Sequence, residues 1–513
     1  MKIRTFFPAT RGRWLLYTKT SLPVILAAMV FALNNFVDNF SAIKIPGGNQ
    51  ALSYANSWTS MVSGLVAATA LVGSALFGQY LGLDDKRKIR EVLRARMVLA
   101  LAVALAFALP ALIAPEFMTM LISGFDAQLP ADIAQSTASY TRIISLSWLL
   151  SAWGYTNSMI LREAGHGTVS LLSALTSLVS NIVLNVAFIF GLGEDISYLA
   201  YSTLVSMVIS IGFMNLFIWF RDKRIAVNPL RLLAVSGLIW RQFAKRSSSF
   251  VLLALGSAAV SIRFIFWNSG YPTGSVGTDP LYNLSAATVL GISGMFFNVF
   301  WTTFESINAN VAIFVGKELG NNNIAQAQAN ARELQGFHLL TALIMGTSLF
   351  ALSFAVVHMD FLTEGYKAGL SQELAAKFPE ASVQQIRDLV ASGATEFLAN
   401  LQITLWPLSW NMPLWIWYIT KKIIISSGGL TNLTSLVDTA SGIIQIIWII
   451  IINLVIVKTT SLPFPWAYAL FFVSDLTKVP VFEYLYYKST WARNLTLETV
   501  RVCEDEVPAS RFD

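Results

Sequence analysis

Asp38 stands beside three asparagines in the stretch Phe31 to Ile45, FALNNFVDNFSAIKI, which continues the apolar run LPVILAAMVFAL. On a helix, Asn34, Asn35 and Asp38 share one face by i, i+3 and i+4 spacing. A second polar patch, LVSNIVLN, places Asn181 and Asn185 one turn apart, and AYSTLVS offers the hydroxyls of Ser202 and Thr203. One carboxylate with neutral amide and hydroxyl oxygens suits a small hard cation such as Na⁺, or a proton carried on Asp38. Blander readings stand beside this one. Membrane amides also join helices to one another, and serine or threonine can bond its own backbone. Pro23 lies 15 residues before Asp38, about 22 Å of helix rise, so Asp38 falls in the outer half of its segment, where the interface could hydrate it.

Other ionisable groups fall within apolar segments. Arg263, in SIRFIFW, takes nearly the place in the second half that Asp38 takes in the first. A guanidinium at that depth requires a carboxylate or carbonyl partner; Glu305 is one candidate, and snorkelling to the interface is the other. Asp438, Asp475 and Glu483 lie toward segment ends and read as interfacial. Neither a phosphate-binding GxxxxGK[ST], an HExxH nor a GxSxG occurs, so the chain reads as a non-enzyme without a cofactor, any uphill work drawing on an ion gradient of H⁺ or Na⁺. A single cysteine, Cys503, excludes an intrachain disulfide, and His166, His338 and His358 are too scattered for a histidine metal site.

These residues need a bilayer around them. Of 513 residues, 55% are hydrophobic and only 12% charged, about half the charge of a soluble domain. Apolar windows near 21–45, 53–80, 95–122, 136–161, 168–192 and 196–220 make a first set. Windows near 248–268, 283–315, 336–358, 394–420, 431–457 and 464–487 make a second. Each is long enough to be read as a transmembrane helix. About 27 of the 35 lysines and arginines fall at the N-terminus, in the even-to-odd loops or in the tail. The positive-inside rule then puts both termini in the cytosol, and the net charge of +6 calls for no nucleic-acid partner. The expected organisation is an N-terminal segment 1–20, a six-helix lobe 21–220, a cytosolic linker 221–247, a second six-helix lobe 248–487 and a tail 488–513. An extracytoplasmic insert, 360–393, is expected to form one or two short surface helices.

The halves repeat. FGQYLGLDDKRKIREVLRAR after the second window matches FVGKELGNNNIAQAQANAR after the eighth, with Gly78, Gly82 and Arg94 aligned on Gly316, Gly320 and Arg332 at one offset of 238. Each half starts on the same side, so the expected architecture is all-α, with twelve transmembrane helices in two parallel, pseudo-symmetric lobes. Repeats of this kind place substrate between them. The GxxxG spacings of GQYLG and GKELG read as helix termini.

NNFVDNF, GQYLGLDDKRKIREVLRAR, MILREAGHG, SLVSNIVLNVAFIFGLG, IFVGKELGNNNIAQAQANAR and SSGGLTN, in that order over roughly 20–495, resemble the multidrug and toxic compound extrusion (MATE) family. The resemblance implies a V of two lobes rocking between outward- and inward-open states, with H⁺ or Na⁺ entering as an organic substrate leaves. In the DinF-like branch, which couples through the N-terminal lobe, it implies a cation site. Asp38, Asn181, Asn185 and Thr203 fall at matching places, with Pro23 bending the first helix; Asn34, Asn35, Arg263 and Glu305, read from their own placement rather than from the resemblance, are expected to support the cavity. That branch often carries an acid where this chain has Asn185. The expected setting is a multi-pass monomer in the plasma (inner) membrane, its partners the bilayer and a small organic substrate, most simply a cationic toxic compound. A lipid-linked sugar flippase of the wider superfamily and a dedicated exporter of one metabolite are the alternatives.

Overall fold

A computed structural model describes residues 6–42, 48–122, 131–192, 195–246, 274–284 and 286–496, together with 248, 251–252, 255, 263, 266–267 and 269–272. The regular structure of the described residues is all helical, with no strand among them. Helices α1 (Arg11–Ala42), α2 (Gly48–Gly82), α3 (Lys86–Ile113), α4 (Pro115–Ile122), α5 (Ala131–Glu163), α6 (Gly167–Leu192) and α7 (Ser197–Arg221) form the first half, followed by the short α8 (Gly237–Ala244). Seven described helices are long and apolar enough to cross a membrane, corresponding to expected windows one, two, three, five, six, nine and eleven.

The remaining windows differ for physical reasons. Window four is α5, whose Thr137, Thr141, Ser145, Ser147, Thr156, Asn157 and Ser158 are buried. It packs against α2, α3 and α7, so protein rather than lipid surrounds it and it needs no uniformly apolar surface. Window ten belongs to a continuous helix, Val383–Ser427, started by a Ser382–Gln385 capping box. At 45 residues it rises about 68 Å, well beyond the hydrocarbon thickness. Its N-terminal part is therefore the second half of the expected insert, while Glu364–Lys377 is a separate short helix. Windows eight and twelve are broken. The former runs through Ala286–Trp301, Thr303–Asn310, a π-helical turn Val311–Gly316 and Lys317–Gly320; the latter through Phe464–Phe471, a 3₁₀ turn Phe472–Thr477 and Lys478–Lys488. Most of window seven lies outside the described residues.

Apolar packing follows the two halves. One continuous core, including Trp267, Ile307, Leu405, Trp415 and Phe472, belongs to the second half apart from Tyr17. In the first half, alanines 100, 104, 108 and 111 of α3 lie against Trp58, Tyr140 and Trp148. These small side chains let α3 approach its neighbours closely, as membrane helix packing requires.

The halves meet at the end where basic residues concentrate. Here α2 crosses the π turn and the short helix after it. A Cβ on Gly78 would lie 3.4 Å from the Cα of Gly316, and one on Gly320 would overlap the carbonyl of Gln79. Thus GQYLG and GKELG do end helices, but their glycines also make the crossing between the two repeats. The segment around Trp491–Thr496 seals this seam. Leu495 N donates to Gln79 Oε1 at 2.6 Å, Gln79 Nε2 donates to Ser427 O at 2.9 Å, and Asn494 Nδ2 donates to Gly320 O at 3.0 Å.

Candidate functional site

Three helices of the first half build the polar patch. α1 packs along α6, and α6 along α7. Pro23 stands inside α1, where it removes a backbone donor and withdraws the usual bond to the carbonyl four residues earlier. Asp38, fifteen residues on, is 8% exposed.

Asn185 Nδ2 donates to Asp38 Oδ1 at 3.0 Å and Thr203 Oγ1 reaches Oδ2 at 3.2 Å. Asn185 Nδ2 also lies 3.0 Å from Asn181 Oδ1, and Asn181 Nδ2 donates to Thr203 Oγ1 at 3.3 Å. Asn34 Nδ2 reaches Ser177 Oγ at 3.4 Å. The Thr203 hydroxyl also lies 3.0 Å from Leu199 O, and with one proton it serves either that carbonyl or Asp38. So Asp38, Asn181, Asn185 and Thr203 form one connected group, with Asn34 a short way along α1. The side chain of Asn35 lies outside the described residues.

Oxygen is in excess in this group. Asn185 Oδ1 and Asn34 Oδ1 are buried without a hydrogen-bond partner among the described residues. An orphaned buried acceptor costs about 1–3 kcal/mol, which a bound cation or proton donor would relieve. The groups acting on Asp38 are the neutral side chains of Asn185, Asn181 and Thr203. Tyr140 of α5, which the sequence reading passed over, is buried within electrostatic reach of Asp38. Nothing distinguishes it in SYTR except its position once α5 is folded.

Arg263 and Glu305 are not partners. Arg263 Nη2 donates to Gln445 Oε1, and its guanidinium lies 5.5 Å from the Phe471 ring centroid. Gln445 Nε2 donates in turn to Asp475 Oδ1 at 2.6 Å, with Trp415 Nε1 3.0 Å from Oδ2 and Lys478 Nζ 2.8 Å from Oδ1. Asp475 is therefore held in a side-chain network. It is 4% exposed and lies in the 3₁₀ turn that breaks the last helix. Asp438 and Glu483 fit an interfacial place better, half-buried and paired with Lys422 and Lys421.

Glu305 belongs to the seam. Arg162 Nη1 lies 2.9 Å from Glu305 Oε2, and Tyr155 OH lies 3.5 Å from Oε1. The neighbouring residues of MILREAGHG have separate partners. Glu163 pairs with fully buried Arg96 at 2.6 Å and accepts from Ser74 Oγ at 2.6 Å, while His166 Nε2 lies 3.1 Å from Asp222 Oδ2. That motif thus ties α5 to α2, α3, α7 and the second half.

This arrangement, two helical halves with a carboxylate–amide group inside the first, is that of the MATE fold. Residues 23–187 match the MatE family model. A MATE solved in complex with MaL6 is 15% identical with a TM-score of 0.70, over 95% of this chain and 96% of that one. A multidrug resistance MATE family transporter of the MOP superfamily, solved in an outward-facing conformation, is 16% identical with a TM-score of 0.66, over 96% of each chain. A MOP superfamily transporter from Pyrococcus furiosus Vc1, for which a reverse polarity of the binding pocket suggests a different function, is 16% identical with a TM-score of 0.66, over 92% and 96%. No curated protein sequence matches the chain significantly.

Proposed function

We propose that this protein is a secondary active efflux transporter of the MATE family, DinF-like in using its N-terminal lobe to couple H⁺ or Na⁺ entry to the exit of an organic substrate. Asp38 receives the ion, Asn181, Asn185 and Thr203 complete the site, and Pro23 lets α1 bend as the site fills. The observation that carries this reading is the buried Asp38 carboxylate, held by neutral donors beside two orphaned amide oxygens. An inward-moving cation gains about 2.3 kcal/mol per 100 mV of membrane potential. Ion and substrate oppose each other at the site, and by linkage each weakens the other's binding by the same factor. The two six-helix lobes rock about the glycine crossing, in a plasma membrane with both termini cytosolic.

The test is efflux of a cationic dye from vesicles, with H⁺ and Na⁺ gradients imposed separately. Wild type should respond to one of them, and Asp38→Asn should insert normally but lose gradient-driven export. Export by Asp38→Asn equal to wild type would remove the coupling role.

A second reading concerns the substrate. Arg263 and Lys478 lie about the single carboxylate of Asp475, leaving a positive excess in that local cluster of the second half. That favours a dedicated exporter of an acidic metabolite over a pump of organic cations, and competition of anionic against cationic dyes in the same vesicles separates the two.

A further inference from the structure

The cytosolic end of α3 carries Arg90 and Arg94 on the same face as Val98, Leu101 and Leu105, at spacings of three and four residues. Against this face lies the connection Pro229–Ala234. Together they enclose an open groove of about 550 Å³, lined by Val98, Leu101, Ala102, Leu105 and the turn. Asn228 caps the turn, its Oδ1 accepting from Leu230 N at 2.9 Å. Arg94 Nη1 ties the turn to α3 by donating to Ala234 O at 2.8 Å.

Two features of the groove stay unbalanced within the chain. Leu230 and Leu233 are 94% and 79% exposed, although the cap and the Arg94 bond fix where they project. Above them, Arg94 lies within electrostatic reach of two like charges, Arg90 and Arg231. Its Nε is buried without a hydrogen-bond partner among the described residues. The acid nearest to hand, Glu91, is already engaged by Ser236, Arg87 and Lys88.

We infer that this groove binds an anionic phospholipid of the cytoplasmic leaflet. The headgroup phosphate sits on Arg90, Arg94 and Arg231, and an acyl chain lies along Leu101, Leu105, Leu230 and Leu233. The order of residues along α3 supports this occupant over free phosphate. Guanidiniums occupy the first turns and apolar side chains the next two, matching the descent from headgroup to hydrocarbon, and basic pockets beside transmembrane helices take anionic headgroups on this side. The repeat-related Arg332 has no such setting. It is exposed, and its helix is not the one beside the Pro229–Ala234 turn, although Arg90 and Arg332 alike bond a carbonyl of their own helix through Nε.

Native mass spectrometry of the purified full chain, titrated with dioleoylphosphatidylglycerol or dioleoylphosphatidylcholine, tests the inference. Retained phosphatidylglycerol should exceed phosphatidylcholine and fall about fivefold for each guanidinium removed in Arg231→Gln and Arg90→Gln/Arg231→Gln, the equivalent of about 1 kcal/mol per basic residue. Arg332→Gln should retain it fully. Leu230→Ser/Leu233→Ser should weaken retention with every arginine present, and added glycerol 3-phosphate should not displace the lipid. Equal retention of the two lipids, no loss in Arg231→Gln, or displacement by glycerol 3-phosphate would overturn it. Arg231 is exposed, so the single variant is safe for folding, and an unchanged melting temperature confirms that.

Discussion

Arg162 of α5 and Glu305 of the Thr303–Asn310 helix form an ion pair at 2.9 Å that joins the two halves, with Arg162 almost wholly buried. The pair bridges the two halves at the basic end, so breaking it should loosen that contact. Glu305→Gln should destabilise the closed arrangement by about 2 kcal/mol, a shift of roughly thirtyfold in the ratio of states. Thiol-labelling rates at cysteines introduced along the seam measure it, and the exchange Arg162→Glu/Glu305→Arg should restore slow labelling.

The glycine crossing gives a steric counterpart. A methyl group at Gly320 would overlap the carbonyl of Gln79, and that atom belongs to a helix backbone that cannot rotate away. Gly320→Ala should therefore open the same seam, raising labelling as Glu305→Gln does. Gly291→Ala, with open space around the glycine, should leave it unchanged.

Asn185 holds Asp38 without adding charge. Asn185→Asp places a second carboxylate on the group, and cation affinity rises with the charge count of the ligands. Na⁺ binding, followed by tryptophan fluorescence, should tighten by about an order of magnitude. An unchanged Na⁺ response would separate Asn185 from the ion's position.

Asp222, just past the end of α7, makes that junction acid-sensitive. Burial alone would raise its carboxyl, but hydrogen bonds from Arg224 and His166 outweigh it and hold the group below its usual value of 3.8. A depressed folded value contributes stability above the unfolded one and loses it as pH falls through the folded one. Amide exchange around 218–227 should quicken below about pH 4, and Asp222→Asn should remove that dependence.

Leu495 is 2% exposed and packs into the core of the first half. Leu495→Ala should cost about 2–4 kcal/mol, read as a lower melting temperature in detergent. A substitution at exposed Lys377 should leave that temperature nearly unchanged.

How much of this was legible depended on whether a residue's meaning is local. Asp38, Asn181, Asn185 and Thr203 announce themselves, because each interrupts an apolar run at helical spacing, and the structure brings these four together. Their role as an ion site is a separate matter that vesicle transport addresses. Arg263 could not be paired correctly from sequence, since its partner Gln445 is a neutral residue 182 positions away. Glu305 has the same difficulty with Arg162. The network around Asp475 was equally illegible, since Gln445 and Trp415 lie 30 and 60 positions away. Tyr140 carries no pattern at all. The glycine pairs were found as a repeat, yet nothing in either motif says that one packs on the other.

The bond between Leu495 N and Gln79 Oε1 spans 416 positions, and this separation bears on biogenesis. Gln79 enters the bilayer early, yet the groups that satisfy its amide are not translated until Ser427 and Leu495 have left the ribosome. During that interval the Gln79 amide lacks the partners it has in the folded chain. This end of α2 is therefore completed only once the second half has been made.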